Sequence, residues 1–114
     1  MIEIELYTHL RDNVALIDGR IFPKLMPQDC VKPALVYGVV NDSDVETLGC
    51  VVGSSIRFQI DVYGFSYSEV KMIKQQIKAA LYSFKYKPLN LSTNDDYEDE
   101  TKLYREMLDF NFKI

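Results

Sequence analysis

The sequence predicts an α+β fold: a mainly antiparallel sheet of four to five strands packed against two helices, in the order α-β-β-β-α-β-β. Three observations carry this. Ser55 to Tyr63 alternates, with Ile56, Phe58, Ile60 and Val62 on one side and Arg57, Gln59, Asp61 and Tyr63 on the other. That is the two-residue period of a strand with one face on a core. Val70, Ile73, Ile77, Leu81 and Phe84 then place an apolar stripe along one side of a helix. Finally, Leu108, Phe110, Phe112 and Ile114 alternate with Asp109, Asn111 and Lys113, a second half-apolar strand. Two helices laid on one face of such a sheet bury both apolar sets.

Ile2 to about Asn13 reads as the first helix. Leu6, Leu10 and Val14 recur at four-residue spacing with Tyr7 beside them, and Gly19 is a stop signal. Ile2 and Ile4 also alternate with Glu3 and Glu5, so a short strand competes for the first residues. Pro23, Pro27 and Pro33 fall within residues 20–34. Proline lacks an N–H and fixes φ, which excludes a long helix or a central strand there. The stretch reads as a short strand at Arg20-Ile21-Phe22 and then an extended loop. Leu35 to Val40, rich in β-branched and aromatic residues, is a strand.

Asn41 to Ser54 opens on the turn signal Asn41-Asp42-Ser43-Asp44 and holds Gly49 and Gly53 around Cys50-Val51-Val52. It fits either a hairpin tip or a long mobile loop. Ser66, with Glu69 three residues on, forms a capping box for the second helix. Lys71, Lys74, Gln75 and Lys78 lie mostly off its apolar stripe and are expected in solvent. Lys85, Lys87 and Pro88 end it. Leu89-Asn90-Leu91 is a candidate short strand, and Asn94 to Glu100 is an acidic run that reads as a solvated loop.

A length of 114 residues points to one domain spanning 1–114. Chains of this size bury roughly two-thirds of the surface that their unfolded forms expose. The hydrophobic content of 47% is that of a globular protein, not a disordered one. The formal net charge of −4 argues against a protein that grips nucleic acid, because phosphate binding needs clustered Lys and Arg. It leaves room for one past which DNA slides. Eight tyrosines exceed the needs of a small core, and amphipathic rings suit contact surfaces. There is no apolar run near the ~20 residues of a membrane helix. Met1-Ile2-Glu3-Ile4-Glu5 lacks the basic start of a secretory signal, so the expected compartment is the cytosol.

No catalytic arrangement competes with a structural reading. His9, the only histidine, sits beside Arg11 and Asp12 and reads as a surface or capping residue. Cys30 and Cys50 are too few and too irregular for a metal site and read as two free thiols. The five glycines are scattered singly, so no phosphate-binding loop exists. The acidic run resembles a hard-cation cluster in composition only, because EF-hand spacing is not met. The expectation is therefore no catalytic residue, no cofactor and no metal. Lys71, Lys74, Lys78, Lys85 and Lys87 read as the solvated face of the second helix. Tyr82 and Phe84 read as core or helix-end packing. An exposed ring at Tyr63, Tyr67 or Tyr86 would mark an interface.

Taken in order, these segments resemble the tail-completion proteins of long-tailed bacteriophages, also called tail terminators or head-to-tail joining proteins. The likeness runs from the N-terminal helix and Arg20-Ile21-Phe22-Pro23 through Met26-Pro27-Gln28-Asp29 and Lys32-Pro33-Ala34-Leu35-Val36-Tyr37. It continues through the Arg57-to-Tyr63 strand and the helix from Ser66. It ends with Asp96-Tyr97-Glu98, Leu103-Tyr104-Arg105 and the strand at Leu108-Asp109-Phe110.

The resemblance implies a homo-hexameric ring on the head-proximal end of the tail tube, which stops tube growth and joins the head. The implied partners are copies of itself, the tail tube protein and a head-completion or connector protein. DNA would pass through the lumen without specific binding, and no membrane would be involved. The implied location is the host cytoplasm during assembly and then the virion tail. The candidate interface residues are Asn41, Asp42, Asp44, Glu46, Leu48, Val51 and Val52 in the long segment, which would order on docking. Asp95, Asp96, Glu98, Asp99 and Glu100 in the acidic run complete the set. The terminal strand 105–114 is a candidate open edge for pairing. The competing readings are a head-side connector adaptor, a minor tail protein, a small enzyme and a cytosolic protein-binding module unrelated to phage.

Overall fold

The computed structural model of the chain describes residues 2–26, 31–47 and 50–113, except the side chains at 44–47 and 50–52. Helix α1 spans Ile2–Asn13 and is followed by a 3-10 turn at Ala15–Ile17. Then come β1 (Ile21–Pro23), β2 (Ala34–Thr47), β3 (Cys50–Gly64), α2 (Tyr67–Tyr82), β4 (Leu89–Glu98) and β5 (Leu103–Lys113). The strands form one five-stranded sheet in the order β1-β2-β3-β5-β4. β1 runs parallel to β2, and the other neighbouring pairs are antiparallel. The predicted element order and fold class hold.

The helical reading of Ile2–Asn13 prevails because it puts Leu6 and Leu10 together inside the core. The helix ends at Asn13, and the 3-10 turn that follows it is closed by Asp18 and Gly19, both at positive φ (52° and 76°). Pro23 ends β1, a position open to proline because β1 is an edge strand.

On the sheet, Leu35, Ile56, Phe58, Ile60, Val62, Leu108, Phe110 and Phe112 are buried in one cluster with Leu6, Leu10, Ile73, Ile77 and Leu81 of the helices. Phe58 stacks on Phe110 at 5.9 Å, and Phe112 meets both rings edge-on at 5.6 and 5.1 Å. The Ser66 hydroxyl accepts from the Glu69 N–H and caps α2. Gly64 makes the tight entry to that helix, since a Cβ there would lie 2.7 Å from Val70 Cγ1.

Three expectations are corrected. Strand β5 lies between β3 and β4, so the terminal strand has no free edge; the edges are β1 and β4. The acidic run is not a loop. Residues up to Glu98 belong to β4, whose pairing with β5 runs from Leu89↔Asn111, across a register shift before Ser92, to Glu98↔Leu103, and of the run only Asp99 and Glu100 sit in the following turn. An edge strand facing water needs no apolar face, which is why its sequence looked like a loop. Lys71 and Lys74 are not in solvent: their side chains are 27% and 13% exposed and turn toward Glu106.

Candidate assembly surfaces

The segment 41–54 adopts the hairpin reading. Pairing of β3 with β5 stops at Ser55↔Lys113, whereas β2 and β3 stay paired as far as Thr47↔Cys50. A two-stranded ribbon therefore leaves the five-stranded body. At ~3.3 Å per residue it projects roughly 20 Å, which accounts for the elongated 51 × 27 × 22 Å envelope. A register shift between Val39 and Asn41 leaves Val40 as an extra, exposed residue where the ribbon departs, and a second shift follows between Val45 and Glu46. Such bulges bend a strand and raise its twist. Of the predicted interface residues, Asn41 and Asp42 are exposed at the base of the ribbon, still paired to the body through Arg57 and Ile56, with the Asn41 amide donating to Ser43 Oγ at 2.9 Å. Asp44, Glu46, Val51 and Val52 lie on its strands, their side chains outside the description. Leu48 lies outside the described residues, as does Cys30, and the Cys50 side chain is outside the description.

The second predicted group sits elsewhere. Asp95 and Asp96 are exposed on β4, Glu98 is half-buried at its end, and Asp99 and Glu100 are exposed in the turn. Glu98 pairs with Leu103, and Gly64 with Tyr104, at the end of the sheet opposite Ser55↔Lys113. The ribbon and the acidic run thus mark opposite ends of the sheet instead of forming one site. At the acidic end the rings of Tyr67, Tyr104 and Tyr97 form a chain with centroids 5.5 and 4.7 Å apart. Tyr67 (53%) and Tyr97 (42%) are exposed there, beside Phe65 (62%). Tyr63 and Tyr86 are half-buried: Tyr63 lies under Arg105, and Tyr86 packs on Phe84 and Phe112. Tyr82 is exposed, and Phe84 joins the core margin.

Sequence reasoning missed Glu106. It is 1% exposed and is held by Lys71 Nζ at 2.7 Å from Oε1, with Lys74 Nζ 3.7 Å from Oε2. Lys71 also pairs with Asp95. Burial pushes the Glu106 carboxyl above its ordinary range, despite the two lysines. The Lys71 ammonium beside Asp95 holds that exposed carboxyl below its ordinary range, and the two carboxylates push the Lys71 amine up. The signal was present: Glu106 is in phase with Leu108, Phe110 and Phe112, so it points into the core.

His9 joins the helices. Its Nε2 lies 2.7 Å from the Ala80 carbonyl and 3.1 Å from Ser83 Oγ, capping the end of α2 from α1. The capping reading therefore holds. Lys85 adds a 2.8 Å ion pair to Glu5, which lowers that carboxyl. On the sheet face away from the helices, Arg57 grips Asp109 through two bonds of 2.9 and 2.5 Å, and Arg105 meets Asp61 at 3.0 Å.

These charged groups are consumed by one another, and His9 is spent on a carbonyl. A shallow cavity of about 170 Å³ between Lys24, Gly38, Gln59 and Asp61 brings no nucleophile and base together. Among the described residues, no group of His, Cys, Asp and Glu is placed to hold a metal. No described helix is long and apolar enough to cross a membrane.

The chain matches the family described as "Tail completion protein gp17" over residues 4–114. No curated protein matches it. A solved chain from the "Virion of native gene transfer agent (GTA) particle" is similar in structure, with a TM-score of 0.74 at 16% identity. The match covers 95% of this chain and 90% of that one, and the likeness is one of fold.

Proposed function

We propose a role from one premise: the chain belongs to the tail completion protein gp17 family. It is a structural protein of phage tail assembly. Our finer reading is a homo-hexameric ring at the head-proximal end of the tail tube, which ends tube growth and presents the surface that joins the head. Its partners in this reading are copies of itself, the tail tube protein and a head-completion or connector protein. It acts in the host cytoplasm during assembly and then in the virion tail.

The observation that carries this reading is the β2–β3 ribbon. Strand residues from Asp44 to Ser54 pair only with each other, beyond the last rung of the body at Ser55↔Lys113. A lone two-stranded ribbon in water is marginally stable, so it supports a surface completed by a neighbour. The ribbon sequence carries Asp42, Asp44 and Glu46, suited to a lumen through which DNA passes without sticking.

Electron microscopy of a lysate lacking this gene alone tests the role. Filled heads beside separate tails, some of abnormal length, with particles restored by supply in trans, are the expected result. Normally joined virions would reject it.

A further inference from the structure

We infer that copies of this chain join edge to edge, the β4 edge of one meeting the β1 side of the next. This rests on the ring reading and deepens it by naming the two faces. The sheet ends at β1 on one side and β4 on the other. The two edges differ in charge. Beside β4 stand Asp96, Asp99 and Glu100, whereas Lys24 and Lys32 flank β1 and the start of β2. Between Arg20 and Pro33 the one acid is Asp29, outside the described residues, and the exposed Asp18 just before β1 pairs with Arg20 at 3.6 Å.

Each edge also exposes apolar side chains. Leu25 (82%) and Val31 (68%) lie beside β1, and Tyr97 (42%) lies on β4, linked through Tyr104 to Tyr67 (53%) of α2. An apolar centre within a charged rim is the usual anatomy of a specific interface.

The same charges exclude the alternative. Two β4 edges paired about a two-fold axis would set Asp95, Asp96 and Glu98 against like charges, which is destabilising across strands. A two-fold contact also closes at two copies, whereas a contact between unlike faces closes into a ring. The contact runs through side chains more than through a continued ladder, because β1 has three residues and ends in Pro23.

Sedimentation velocity on the full chain over a concentration series, alone and with tail tubes, tests this with charge reversals. Lys24→Glu and the pair Asp99→Lys/Glu100→Lys alter exposed side chains, and circular dichroism checks that each variant is folded. Each set alone should weaken self-association at least about tenfold. All three changes in one chain should restore it, because position 24 and positions 99 and 100 then again carry opposite charges. Self-association untouched by either set, or lost and not restored in the combination, would overturn the edge pairing while leaving the ring reading intact. A wild-type chain that never associates with itself, even on tubes, would overturn the ring reading and the inference together.

Discussion

Lys71 Nζ sits 2.7 Å from Glu106 Oε1 and also pairs with Asp95, so one side chain of α2 ties the helix to β5 and β4 at once. Glu106 is the buried charged residue among the described ones, and its Oε2 has no hydrogen-bond donor within reach; Lys74 stands 3.7 Å away. A buried carboxylate is costly when its partners leave. Lys71→Met should therefore destabilise the fold by about 1–3 kcal/mol, with Lys74 and solvent limiting the loss. Lys71→Met with Lys74→Met should cost about 3–5 kcal/mol. Adding Glu106→Met to that pair should recover most of it. Urea unfolding checks all three, and a double lysine variant as stable as wild type would contradict the network.

The same cluster shapes the dependence on pH. Glu106 has its carboxyl raised by burial, so its protonated form favours the fold: this contribution is full below the unfolded value near 4.5 and fades as pH rises through the folded value. Asp95 is lowered by Lys71, and Glu5 by Lys85, so their contributions are present above the unfolded values and are lost as pH falls through the folded ones. Stability should rise on mild acidification toward pH ~4.5 and fall at stronger acid. In Glu106→Gln the mild-acid rise should vanish while the strong-acid fall remains. Thermal melts across pH 3–7 on both proteins decide this, and a rise that survives in Glu106→Gln would assign it to another group.

His9 predicts a different signature. The Ala80 carbonyl is in the last turn of α2, and the His9 ring adds a bond from α1 to it. That carbonyl also accepts from the Ser83 N–H at 3.2 Å and the Ser83 hydroxyl at 3.0 Å, so His9→Ala should cost only about 0.5–1.5 kcal/mol, and His9→Gln, which keeps an N–H donor, should cost less. Chemical denaturation of the two variants compares them; equal losses would mean that ring packing on Phe84, 5.1 Å away, and not the hydrogen bond, carries the contribution.

How far the sequence could be read follows from where the core lies. Ile56, Phe58, Ile60 and Val62 alternate because one face of β3 is buried, so that half of the strand was legible. Gly53, Ser54 and Ser55 belong to the same strand but continue into the ribbon, which has no core to impose an apolar period. β4 escaped beyond Leu91 for the same reason, as an edge strand whose Asp95 and Asp96 face water. Lys71 and Lys74 misled because a lysine stem covers apolar surface while its head reaches a charge, and their partner Glu106 is far along the chain. The candidate interface residues were chosen as two groups in the sequence. Strand register alone places the groups at opposite ends of the sheet.

That separation sets the last prediction. Strand residues from Asp44 to Ser54 pair only with each other, and the core cluster contains none of them. Replacing 44–54 by a two-residue hairpin turn should leave thermal stability nearly unchanged, because no rung of the five-stranded body and no buried apolar contact is removed. Joining of heads to tails should fail, because the roughly 20 Å projection that awaits a neighbour is gone. Reversing Asp99 and Glu100 acts at the other end of the sheet and should alter contact between copies with the ribbon intact. Infectivity and thermal melts on the shortened chain separate the two ends. A shortened chain that melts as wild type yet still yields infectious particles at normal titre would remove the ribbon from the joining surface. A shortened chain that fails to fold would show instead that the ribbon stabilises the body it leaves.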